Sequence, residues 1–322
     1  HNSCPNSPAY RKYSVRLAEK LAERYKDYDN IVAWHISNEY GGECYCENCE
    51  KAFRVWLKKK YGTIEALNHA WNTAFWGHTF YEWDEIVLPN LLSEHFDYDR
   101  SRFQGITLDY KRFNSESLLE CFRLESEAIK KITPDIPVTT NLMGFYKMLD
   151  YKMWAKYMDV VSWDNYPANE DSPAMIAMSH DLMRGIGGGK PFLLMEQTPS
   201  VTNWLPYNAL KRPGVMRLWS YQAAAHGADS IMFFQMRRTV GGCEKLHGAV
   251  IEHAGTNQTR VYREVQALGR ELDRIGEETL GAVTETKAAL YFAWDNWWAI
   301  ESSAGPSCEL KYKDEVLNYY EA

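Results

Sequence analysis

Apolar residues recur along the chain in short blocks that end in polar or acidic residues, and helical spacing fills the intervals. The first block, IVAWHISNEY (31–40), follows a stretch from Ser7 to Lys26 in which Val15, Leu17, Ala18, Leu21 and Ala22 predict an amphipathic helix. IPVTTNLMG (136–144) comes next, behind the periodic SLLECFRLESEAIKKI. MDVVSWDNYP (158–167), KPFLLMEQTPS (190–200) and GADSIMFFQMRR (227–238) complete the series, with helices predicted at about 173–186 and 213–226. Strand, loop and helix in repetition imply an α/β fold with a parallel sheet and crossover connections.

The chemistry-bearing residues gather at the C-terminal ends of these blocks: Asn38-Glu39, Asn141, Asp164-Asn165-Tyr166, Glu196 and Gln235. Both open doubly wound sheets and (β/α)8 TIM barrels place sites at that edge, and contributions from many strands favour the barrel. No glycine-rich phosphate loop follows a strand; GIGGGK (185–190) sits between a helix and a strand and reads as a helix end and turn. Five strand units stand where a closed barrel needs eight, so the reading is a barrel whose strands 4–8 are visible and whose strands 1–3 are missing. After a helix at about 259–275, the alternating aromatic stretch AALYFAWDNWWAIE (288–301) reads as the opening strand of a further domain. The expected division is 1–283, the C-terminal part of a catalytic barrel, and 284–322, the start of a second domain.

Composition narrows the chemistry. A net charge of −7 with scattered Lys and Arg offers no stripe for nucleic acid. The longest apolar runs fall short of a membrane span, and His1 is followed by polar residues. Twelve Trp and 21 Tyr lean towards carbohydrate, because sugar rings stack their C–H faces on aromatic rings. Cys44, Cys46 and Cys49 follow a C-x-C-x-x-C spacing, and with Cys4 they could make a four-thiolate zinc site, closed to water and therefore structural. That usage suits a reducing compartment, and the expected location is cytoplasmic.

Glu39 and Glu196 end the first and fourth visible strands, and two carboxylates about 5–5.5 Å apart perform retaining glycoside hydrolysis. Counting back from eight, these are the ends of strands four and seven, an order that resembles the large superfamily of barrel glycosidases. Within it, HISNEYGGECYCENC (35–49), MEQTPSVTNW (195–204) and GGCEKLHGAVIEHAG (241–255) resemble glycoside hydrolase family 42, the β-galactosidases.

The resemblance implies that Glu39 is the acid/base, Glu196 the nucleophile and Asn38 the partner of the sugar 2-hydroxyl. It implies that Glu244 and His247 hold other hydroxyls and that Trp76, Tyr166, Trp204 and Phe234 surround the sugar. It further implies a small galactoside substrate, structural zinc on Cys4, Cys44, Cys46 and Cys49, and a homotrimer built through a domain after the barrel. An arginine that contacts the sugar in the family would precede His1. Two other readings fit the residues: a barrel glycosidase for α-L-arabinopyranosides, which share the axial hydroxyl of galactose, and a non-catalytic sugar-binding scaffold.

Overall fold

The computed structural model describes residues 3–89, 95–97, 100–168, 171–303 and 305–322. In chain order the first half holds α1 (Pro8–Tyr25), β1 (Trp34–His35), α2 (Glu47–Tyr61), α3 (Ile64–Trp71), β2 (His95–Asp97), β3 (Arg100–Ser101) and α4 (Gln104–Lys130). Then come β4 (Val138–Thr139), β5 (Asn141–Leu142), α5 (Tyr151–Trp154), β6 (Ser162–Asp164), α6 (Pro173–Ile186) and β7 (Phe192–Glu196). The last elements are α7 (Val215–Ala225), β8 (Ala228–Ile231), α8 (Arg260–Thr279), α9 (Trp294–Ser302) and α10 (Tyr312–Glu321). They form two compact units, one of residues 1–138, 146–157 and 290–319, the other of residues 139–145, 158–289 and 320–322.

The first unit is mainly helical. Ser7 caps α1, its hydroxyl accepting the Tyr10 N–H at 3.3 Å, and Pro8 occupies the first turn where a missing N–H costs nothing. The 27-residue α4 buries Ile106, Tyr110 and Phe113 against Phe53 and Leu57 of α2 and Leu67 and Trp71 of α3. Removing the fully buried Phe53 side chain would cost about 3–5 kcal/mol in cavity and transfer energy. A buried carboxylate, Asp109, sits in this core. It is neutralised by Lys60 and by Arg112 at 2.8 Å, and it accepts from Tyr61 Oη at 2.6 Å and Trp71 Nε1 at 3.1 Å. These partners hold its carboxyl below the usual range despite the opposing effect of burial.

Two sequence readings change here. The block at 31–40 supplies a strand of only two residues, whose Trp34 N–H donates to the Pro137 carbonyl at 2.8 Å. Beyond it Ser37 (φ 59°) and Glu39 (φ 43°) adopt left-handed conformations that no strand tolerates. The stretch 288–301 is not a strand. Trp294, Trp297 and Trp298 are spaced for one helix face, and α9 buries all three. Trp294 Nε1 donates to the Tyr146 carbonyl at 2.9 Å and Lys147 pairs with Glu301 at 2.7 Å, so the aromatic face is packed within the first unit.

The second unit is a four-stranded parallel sheet in the order β5-β6-β7-β8, with α6 crossing from β6 to β7 and α7 from β7 to β8. This is the predicted α/β organisation, and α6 covers the predicted residues because Ser172 and Pro173 start it as cap and first turn. Phe192 and Leu194 point one way from β7 into the core, where Trp163, His180 and Phe192 rings meet at 4.9–6.4 Å. β6 and β7 end together and set Asp164 opposite Glu196 at one edge, and Asn141, the first residue of β5, reaches both carboxylates from the neighbouring strand. Among the described residues no helix is long and apolar enough to cross a membrane.

Candidate active site

The edge of the second unit is organised around Glu196, the last residue of β7. Tyr166 Oη donates to its Oε2 at 2.6 Å, and Asn141 Nδ2 reaches its Oε1 at 3.4 Å while donating to Asp164 Oδ2 at 2.6 Å. Asn141 and Asp164 are buried, so the half-buried glutamate rests on groups that cannot swing into solvent. Donors on both oxygens fix the plane of the carboxylate, which an attacking group needs.

An aromatic wall stands beside it. The Tyr166 and Trp204 rings meet edge to face at 4.8 Å, Trp204 stacks on His247 at 4.9 Å, and Phe234 lies 5.2 Å from His247. Trp204 is half exposed and so keeps a ring face open to a ligand. His247 Nδ1 lies 3.2 Å from Asn203 Oδ1, and that amide is oriented by its Nδ2 donating to the Cys243 carbonyl at 2.7 Å. The neutral ring therefore carries its proton on Nδ1. Burial pushes His247 down to about 4, and the charges of Lys211 and Arg238 act the same way.

Of the remaining sequence candidates, Glu244 lies in a turn rather than on a helix, its carbonyl accepting the His247 N–H at 2.9 Å and the Thr239 hydroxyl at 3.3 Å. Asn38, Glu39 and Trp76 belong to the first unit. Glu39 is half-buried in a left-handed turn, a strained state for a residue with a Cβ that folded proteins concentrate at working sites. Asn38 is exposed beside it. Trp76 is also exposed and stacks on Phe75 at 4.8 Å, whereas Trp71 is core. Asn203 and Lys211 were not singled out from the sequence: neither ends a strand, Asn203 lies unremarked inside the stretch 195–204, and Lys211 belongs to no motif.

The four cysteines converge in the first unit. Their sulfurs all lie within 4.8 Å of one another, with Cys4 3.4 Å from both Cys46 and Cys49. Four thiolates around a tetrahedral zinc sit about 3.8 Å apart, from Zn–S bonds of about 2.3 Å. Cys46 occupies the N-cap position of α2 and Cys49 lies in its first turn, where burial raises the Cys49 thiol. Hydrogen bonding at the Cys49 backbone brings Cys46 down to about 7, and burial raises Cys4 to about 11. Asn6 Nδ2 donates to Cys49 Sγ at 3.4 Å, and Tyr110 Oη donates to the Cys44 carbonyl, so the surrounding shell is built as well.

The family model described as β-galactosidase, glycoside hydrolase family 42, matches residues 1–275. β-Galactosidase BgaP of Planococcus sp. (strain L4) is 63% identical over 322 residues, covering all of this chain and 48% of the relative. LacZ of Lactobacillus acidophilus is 49% identical, covering 99% of this chain and 48% of the relative. The crystal structure of a β-galactosidase from Bacillus circulans sp. alkalophilus superposes with a TM-score of 0.98 at 65% identity over the whole chain and 48% of that structure. The chain thus spans about half the length of the relatives it matches, and its fold is of their α/β, TIM-barrel class. On the match across residues 1–275, this chain belongs to glycoside hydrolase family 42, the β-galactosidase family.

Proposed function

We propose that this chain carries the catalytic residues of a retaining β-galactosidase that removes terminal β-D-galactose from small galactosides. The observation that carries the reading is Glu196 held on both oxygens by Tyr166 and Asn141 beside the Trp204, His247 and Phe234 wall. Glu196 attacks the anomeric carbon while Glu39 gives its proton to the departing glycosidic oxygen. The galactosyl ester on Glu196 is then cleaved by water that Glu39 deprotonates, and two inversions restore the β configuration. Asn38 holds the 2-hydroxyl, Glu244 and His247 hold other hydroxyls, and Trp76, Tyr166, Trp204 and Phe234 pack on the ring. An α-L-arabinopyranoside presents the same axial hydroxyl and is the second substrate of this reading.

In the same reading the five strand units are strands 4–8 of a (β/α)8 barrel, the location is cytoplasmic and the assembly is a homotrimer, which light scattering tests. Cys4, Cys44, Cys46 and Cys49 hold a structural zinc: the sulfur spacing and the all-thiolate donor set fit that ion, and no coordination position is left for substrate. The ion clamps the loop that follows Glu39 and takes no part in the chemistry.

The test is hydrolysis of nitrophenyl β-D-galactoside by the full-length protein beside its Glu196→Gln variant, with the product anomer followed by NMR. Turnover with retention that vanishes in the variant while galactose binding persists upholds the reading. A folded protein inactive on galactoside and arabinopyranoside alike leaves a sugar-binding scaffold in its place.

A further inference from the structure

Lys211, on the segment leading into α7, is 5% exposed. Its Nζ donates to the Ser200 carbonyl at 3.3 Å and stands 4.9 Å from the centre of the Trp219 ring. An ammonium has three protons to donate, and this contact uses one. Among the described residues Lys211 forms no ion pair, and burial alone pushes it down to about 7, with no carboxylate acting against it. The charged groups around it do not compensate it. Arg260 donates to its backbone carbonyl at 3.1 Å but is paired with Glu264; Arg238 is paired with Glu252; His247 is neutral. A buried ammonium in this position either gives up its proton or takes a counter-ion.

The structure supplies room for the second course. Lys211 lines a small cavity, partly open to solvent, together with Ser200, Thr202, Pro167, Leu205 and Tyr207. The enclosed part holds a water-sized body. Ser200 and Thr202 are buried and line the same cavity as the lysine. We propose that this cavity is a site for a halide-sized monovalent anion, with Lys211 Nζ as its charged ligand and the hydroxyls of Ser200 and Thr202 as flanking donors. A water molecule there would complete hydrogen bonds but leave the charge uncompensated, whereas an anion does both. Because Ser200 and Thr202 lie on the loop between Glu196 and Trp204, the bound anion ties that loop to the start of α7.

The test uses sodium bromide as probe. Thermal unfolding of the full chain at pH 7.5 is followed in rising bromide against gluconate, which is too bulky for the cavity, at constant ionic strength. Crystals soaked in bromide are measured at its absorption edge. The site requires a saturating rise in Tm of about 2 °C in the wild type, loss of that rise in Lys211→Met, and an anomalous peak in contact with Lys211 Nζ. An equal rise in wild type and Lys211→Met marks a general salt effect and overturns the site, as does an absent peak. If Lys211→Met does not fold, the wild-type anomalous map decides alone. Neither readout involves sugar hydrolysis, so failure here leaves the galactosidase reading untouched and the reverse holds too.

Discussion

Replacing Tyr166 with Phe removes one oxygen atom and leaves the ring that packs on Trp204 and His247. The lost contact is the 2.6 Å hydrogen bond to Glu196 Oε2, while the longer 3.4 Å contact from Asn141 to Oε1 is kept. A hydrogen bond to an ionised group is worth about 1.5–3 kcal/mol. Its effect falls on the second step, in which Glu196 leaves the sugar as a carboxylate and the phenol stabilises the charge that develops. At about 1.4 kcal/mol per factor of ten, breakdown of the galactosyl ester should slow about ten- to hundredfold. With a dinitrophenyl galactoside, whose leaving group makes the first step fast, kcat should fall by that factor and KM should fall with it as the ester accumulates. The variant's Tm should stay within a degree or two, since packing is kept. A folded Tyr166→Phe variant with kcat within threefold of wild type, or with KM raised and kcat untouched, would refute the role given to this hydroxyl.

Three further substitutions probe other parts of the molecule. Cys49→Ser should lower bound zinc from about one per chain towards zero and lower the Tm, by metal analysis and calorimetry; wild-type protein purified without zinc would end the metal assignment. Gly248→Ala puts a methyl 2.7 Å from the Val201 nitrogen and 2.9 Å from Ser200 Cβ, against backbone that cannot yield, so it should displace the Trp204 loop and raise KM for galactosides several-fold. An unchanged KM with unchanged Tm would show that the contact is not close. His180 is fully buried, neither ring nitrogen has a partner among the described residues, and burial pushes it down to about 3. The unfolded chain takes that proton first, near pH 6.5. Stability is therefore lost as pH falls from 6.5 towards 3, by up to about 1.4 kcal/mol per pH unit. His180→Phe should flatten that slope in denaturant titrations at pH 4.5 and 6.5; parallel slopes in both proteins would place the acid sensitivity elsewhere.

Local signals were legible wherever one residue type has one physical use. Ser172-Pro173 marks the start of α6 and the apolar run to Glu196 marks β7, because a cap and a buried parallel strand need little from the rest of the chain. The stretch 288–301 misled because aromatic residues suit strands and buried helix faces alike. Only the three- and four-residue spacing of its tryptophans separates the two. Glu196 was visible as a strand end. What holds it was visible only as a set of neighbouring strand ends, since Tyr166 and Asn141 are 30 and 55 residues away in sequence. Asn203 and Lys211 owe their importance to what lies opposite them, and no spacing rule carries that information.

The ladder between β6 and β7 runs Ser162 to Leu193 and Trp163 to Leu194, then skips a residue and sets Asp164 opposite Glu196. Side chains alternate along a strand, so that one-residue slip decides which face of the sheet edge each carboxylate joins. A single insertion or deletion before Glu196 in β7 would turn it towards the helices, and no later substitution in the same strand could restore it. Segments after the strand ends carry no such constraint. In descendants of this sequence, changes of length should therefore accumulate in the loops that greet the substrate, while the count of residues inside β6 and β7 stays fixed.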